Sequence, residues 1–137
     1  MIDLFRMRQL MRQLAADNRN VAAALSRATH ITQGFSDMPH APGVSDRVGV
    51  GAIELAEAKR VRDLTLEELT QLRGQLAPML SRLAEGTREI MRARYLDGER
   101  PSMIAIHHHM SEATVFRHLR KGEAEIQKND SDDSSFL

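Results

Sequence analysis

The stretch IHHHMSEATVFRHLRKG, Ile106 to Gly122, decides how the rest of the chain is read. Three consecutive histidines suggest a metal site, and the residues after them suggest a helix with one apolar and one basic face. The spacing separates the two. Neighbours on a helix point about 100° apart, so His107, His108 and His109 cannot grip one ion as two residues at i and i+4 can. The chain has no cysteine to complete a ligand set. His118 lies on the next helix and meets His108 only if both face the core. The expectation is therefore no metal and no cofactor. His109 is better placed as a turn residue, since His tolerates unusual backbone angles more readily than branched residues do. His107 is expected in solvent.

The remaining residues satisfy the physical demands of two short helices joined by a tight turn. The first helix needs an apolar anchor and a small residue where the helices cross, and Ile104 and Ala105 supply them. Met110 can plug the turn and Ser111 can cap the second helix. Val115, Leu119 and Ile126 form an inward stripe at helical spacing, with Gly122 among them. By rotation, Ala113, Arg117 and Arg120 lie opposite that stripe, flanked by Thr114, Phe116 and Lys121. A small basic face at the start of a helix is what the major groove of double-stranded DNA admits, and arginine can bond a guanine edge with two hydrogen bonds. On this reading Ser111 and Arg100 hold the phosphate backbone and Ala113, Thr114 and Arg117 face the bases. Arg120 and Lys121 contact backbone or bases, and Glu112 accepts from cytosine or caps the helix.

Working outward, TREIMRARYLDG (87–98) predicts a helix capped by Thr87 and stopped by Gly98. PSMIAIHHH predicts a short helix with Pro101 in its first turn. The N-terminal segment, residues 1–33, predicts one long helix. Leu4, Met7, Met11, Leu14, Asn18, Val21, Leu25 and Ala28 alternate in steps of three and four, a heptad seam with Asn18 at an a position. Such a seam looks the same whether its partner is the same chain or a second copy. GFSDMPHAPGVSDRVGV (34–50) predicts a loop, with Ser45 or Asp46 capping a second long helix over 48–83. The phase slips near Leu64, where Thr65 and Glu68 offer a capping box and hence a break. Pro78 predicts a kink or a new start.

RYLDG (94–98), the Ile104-Ala105 pair and MSEATVFRHL (110–119) together resemble the C-terminal part of sigma factor region 4. The chain as a whole resembles phage-encoded transcriptional regulators of the RinA and ArpU type, which place a long helical arm before a sigma-like helix-turn-helix. ATHITQGFSDMPHAPGVSDRVG (28–49) is similar to the inter-helix segment of those proteins. The resemblance runs from near the start to about Ile126. It departs from the family pattern at Pro101, where an aromatic is usual nearby, and at His108, where leucine is usual. It implies promoter binding and regulation of phage or prophage genes, typically late ones, in the host cytoplasm, with host RNA polymerase as a possible partner.

Composition sets the outer limits. The chain has 137 residues, 42% of them hydrophobic and only 4% aromatic, with formal net charge +0. The absence of cysteine excludes disulfides and thiolate chemistry. No apolar run spans a bilayer, so a cytosolic protein with no membrane partner is expected. Residues 86–128 carry eight Lys or Arg against six acidic residues, and 129–137 hold three Asp and no base. The expected architecture is all-α. A helical hairpin, residues 1–85, forms a coiled-coil-like arm that makes a homodimer or higher homo-oligomer. A helix-turn-helix domain covers 86–127, and 128–137 form a disordered acidic tail. An enzyme is not expected: no Gly-rich phosphate loop follows a strand and no nucleophile has a recognisable setting. The competing reading is a helical adaptor of phage assembly, similar to a small terminase subunit, acting through its seam.

Overall fold

A computed structural model describes the backbone of residues 2–35 and 44–135, and the side-chain surroundings of residues 2–29 and 49–130. Five α-helices follow one another: α1 (Leu4–Phe35), α2 (Val44–Leu80), α3 (Glu85–Met91), α4 (Pro101–His107) and α5 (Glu112–Ser135). Arg92–Leu96 continues α3 as one widened π-helical turn. Among the described residues there is no strand, and no helix is long and apolar enough to cross a membrane. The chain is all-α.

The chain divides into two compact units, residues 10–68 and residues 1–9 with 69–137. In the first, α1 and α2 run antiparallel. Asp17 pairs with Thr65 and Arg27 with Glu54, so ten residues forward on α1 correspond to eleven back on α2. Asp17 is 2% exposed, and a buried carboxylate needs donors. Gln13 Nε2 supplies one at 2.8 Å and the Thr65 hydroxyl another at 2.7 Å.

That hydrogen bond explains one departure from the sequence reading. α2 passes through Leu64 without a break, and Thr65 is not a cap because its hydroxyl is committed to Asp17 across the helix pair. α2 also begins at Val44, so Ser45 and Asp46 lie within the helix instead of before it. Of the loop expected over 34–50, residues 36–43 lie outside the described residues. Pro78 falls in the last turn of α2, which ends two residues later at Leu80.

The second unit packs the first turns of α1 and the end of α2 with the C-terminal helices. Asp3 caps α1 by accepting from the Arg6 amide at 2.9 Å. Ile2, Leu4, Met7, Leu69, Leu76, Leu80, Ile90, Met91, Tyr95, Ile104, Val115 and Ile126 are all buried in its core. This unit therefore takes in residues that a boundary at 85 assigns to the arm. Leu4 and Met7, at 3% and 0% exposure, are used within the chain itself, which withdraws them from a seam offered to another copy. Of the other seam positions Met11, Leu14 and Val21 are half-buried, Asn18 is exposed and Leu25 is 51% exposed.

α3 starts at Glu85 after Ala84, so Thr87 is inside the helix and not its cap. Thr87 is buried and its hydroxyl lies 3.1 Å from His118 Nδ1 on α5. The π turn closes with the Asp97 amide bonded to the Arg92 carbonyl at 3.1 Å. Gly98 then stops the helix at φ +73°, a left-handed conformation that glycine adopts without a Cβ clash. α5 runs on to Ser135, through the start of the acidic stretch expected as a disordered tail.

Candidate nucleic-acid interface

Local chemistry builds the two-helix motif. Arg100 is the N-cap of α4, extended at φ −73° and ψ 149°, and Pro101 follows at the first helical position, where its missing amide costs nothing. Ile104 and Ala105 face inward at 0% and 7% exposure. The turn forms at His108 and His109, with His109 at φ +55°. The chain leaves it with the Met110 amide bonded to the Ala105 carbonyl at 3.0 Å. Ser111 then caps α5: its Oγ accepts from the Thr114 amide at 3.2 Å, and its carbonyl accepts from the Val115 amide at 3.1 Å.

The rotation of α5 is fixed by what it buries. Val115, Leu119 and Ile126 are 0%, 5% and 0% exposed. Gly122 makes the closest approach. A Cβ there would stand 2.5 Å from Met91 Cγ and 3.0 Å from Thr87 Cγ2, so α3 and α5 meet where only glycine fits without displacement.

The opposite side of α5 is solvent-exposed and carries Ala113, Arg117, Arg120 and Lys121, and Glu112 is exposed in the first turn. Arg100 is exposed at the start of α4. Thr114 is half-buried and its hydroxyl lies 2.9 Å from Ser111 Oγ, which makes it part of the cap. Of the six residues on α5 expected at DNA, Ala113, Arg117, Arg120 and Lys121 share one exposed side, Glu112 is exposed in the first turn, and Thr114 is turned toward the cap that Ser111 makes.

The histidines occupy three different settings. His107 is not simply solvated, because its Nδ1 is 2.9 Å from Glu99 Oε1. His108 is half-buried, and His118 pairs with Thr87 instead of approaching it. Among the described residues no three His, Asp or Glu are placed to hold a metal ion.

A polar cluster behind α5 was not legible in the sequence. The Tyr95 hydroxyl donates to Glu123 Oε1 at 2.7 Å and accepts from Arg8 Nη1 at 3.0 Å, while Arg8 lies 3.3 Å from the same Glu123 oxygen. Burial and then the Glu123 carboxylate push the Tyr95 hydroxyl up to about 12, against an opposing pull from Arg8. For Arg8, burial acts to lower its pKa, but Tyr95, Glu123 and Asp3 outweigh it and the net shift is upward. Arg73 Nε donates to the Tyr95 carbonyl at 2.7 Å, and its partial burial pulls its pKa down, with Asp97 opposing. At the end of this unit, the Ile2 amide donates to Asp130 at 2.7 Å. The N-terminal turn of α1 thus braces α5 from residues far away in sequence.

Residues 73–126 match the family model described as sigma-70, region 4. The chain carries a sigma region 4-like helix-turn-helix. The match begins within α2 and ends in α5, so the sigma region 4-like segment includes Arg73, Tyr95 and Glu123 as well as α4 and the turn. The match supports a DNA-binding, transcription-related role for this part of the chain. No curated protein and no solved structure matches the chain.

Proposed function

We propose that the protein is a sequence-specific transcriptional regulator of phage or prophage genes, late genes in particular, acting in the host cytoplasm. The cap and first half of α5, residues 111–122, enter the major groove. Arg117 reads bases, with Ala113 beside it. Arg120 and Lys121 hold backbone or bases, and Arg100 and Ser111 position the phosphates. Glu112 accepts from cytosine, since the cap of α5 belongs to Ser111. Thr114 acts through the cap it shares with Ser111. The observation that carries this reading is the single exposed side of α5, with two arginines and a lysine, held in place by Gly122 against Met91.

Oligomerisation through the 10–68 unit belongs to the same proposal, since two recognition helices would then meet two half-sites. Met11, Leu14, Asn18, Val21 and Leu25 are the α1 positions for it. Exposed Val50, Ile53 and Leu64 on α2 add apolar surface that a second copy can cover. RNA polymerase is a further proposed partner, from the sigma-like character of the C-terminal unit.

The test is binding to duplex fragments tiled across the neighbouring genome at several salt concentrations, with Arg117→Ala/Arg120→Ala beside the wild type. A regulator binds one fragment tightly and loses it in the double variant, while helical circular dichroism stays unchanged. Equal, steeply salt-sensitive binding to every fragment reduces the role to phosphate contact. A folded protein that binds no DNA at low salt returns the adaptor reading to first place.

A further inference from the structure

α5 cannot turn to bury its one outward aromatic side chain. Rotating the helix enough to cover Phe116 would swing Gly122 off Met91 and Thr87 and bring side chains into a contact that admits no Cβ. It would also expose Val115 and Ile126, both fully buried. Phe116 is therefore left 46% exposed. It stands four residues after Glu112 and four before Arg120, so the three form one row along the helix. Ala113 and Arg117 form the next row, and Ala113 is also exposed.

A single exposed apolar side chain is ordinary on a protein surface. Position makes this one informative. It shares its row with Glu112 and Arg120 and stands next to the row of Arg117. With Lys121, the exposed residues of this part of α5 hold three cations against one carboxylate, a balance that favours a polyanion over an apolar protein surface. Bases in the major groove present hydrogen-bonding groups with one apolar exception, the 5-methyl of thymine. A ring beside two arginines on a helix that enters that groove meets either water or that methyl.

We infer that Phe116 is a specificity-determining residue that packs on a thymine 5-methyl group next to the base pairs contacted by Arg117 and Arg120. The inference rests on the DNA-binding reading above and deepens it by adding an apolar term to a site otherwise read by charge and hydrogen bonds. No bond is made or broken. The ring and the methyl leave water together, and removing one methyl from such a contact changes affinity about fourfold.

The experiment uses the full chain. Sites are first enriched from a random duplex pool, and each thymine of the enriched site is then replaced by deoxyuracil, which removes only the methyl. The expected result is an affinity loss of about fourfold at one or two adjacent thymines and little change at the others. Phe116→Ala should bind the thymine duplex at least as weakly as the wild type binds the uracil duplex, and should no longer distinguish the two duplexes. Phe116→Leu should keep part of the discrimination. Unchanged helical circular dichroism and an unchanged Tyr95 titration show that each variant keeps the packing behind α5. Tight wild-type binding that ignores every deoxyuracil overturns the inference. So does discrimination that survives in Phe116→Ala, which would assign the methyl contact to Ala113. A pool that enriches no site overturns the DNA-binding reading, and this inference with it.

Discussion

The Tyr95 hydroxyl donates to Glu123 Oε1 at 2.7 Å, joining the π turn after α3 to the middle of α5. Burial, reinforced by the carboxylate, raises the phenol from 10 to about 12. The neutral form is thus preferred in the folded protein. The stability this provides is complete below pH 10 and is lost as pH rises through about 12, an effect of about 3 kcal/mol. Tyr95 is the only tyrosine and there is no tryptophan, so tyrosinate absorbance follows this one group. Glu123→Gln should move the titration downward. A midpoint at the ordinary tyrosine value in the wild type would show that the cluster does not form.

Two glycines in helices should respond to alanine in opposite directions. At Gly122 the new methyl meets Met91 at 2.5 Å in a filled core, and overpacking of that kind costs about 1–3 kcal/mol, more than the helix preference of alanine returns. At Gly74 nothing lies within 4 Å, so Gly74→Ala should stabilise by about 0.5–1 kcal/mol. Thermal unfolding of both variants checks the pair.

Ser111 has a structural duty at the cap and a proposed one at the phosphate backbone. Ser111→Ala removes the acceptor for the Thr114 amide and should cost about 1 kcal/mol. Ser111→Asp keeps a good cap and should hold the melting temperature near the wild type. Its negative charge should nevertheless weaken DNA binding about tenfold or more, a repulsion that two ions in close approach readily supply. Equal DNA affinity of the aspartate variant and the wild type would move Ser111 away from the backbone.

His109 holds a left-handed backbone at φ +55°. Glycine takes that conformation without strain, so His109→Gly should leave stability equal or raise it by up to about 1 kcal/mol. His109→Val should lose about 1–2 kcal/mol, since a branched side chain crowds the backbone there. Denaturant unfolding decides between this backbone role and a role for the imidazole, which would make both changes equally harmful.

The signals legible in the sequence were local. Pro101 at the first position of α4, the Ser111 cap, Gly98 and His109 at positive φ, and the inward stripe of Val115, Leu119 and Ile126 each depend on residues within a turn or two. A period of 3.6 and a cap are properties of a short window, so a single chain carries them openly. Those features were enough to specify an all-α chain and the outward basic side of α5.

Tertiary structure decided where the local signals competed. Thr65 and Thr87 both look like caps in sequence, yet one hydroxyl is claimed by buried Asp17 and the other by His118. An uninterrupted helix with its buried polar atoms satisfied is more favourable than two capped ends with a carboxylate left alone. Leu4 and Met7 fit a heptad, but a heptad does not name its partner, and the chain's own core takes them. Arg8, Tyr95 and Glu123 come from three distant places, and no periodicity links them. Only packing of the N-terminal turn of α1 with α5 brings them within hydrogen-bond reach, because burying a phenol and a guanidinium together requires each to satisfy the other.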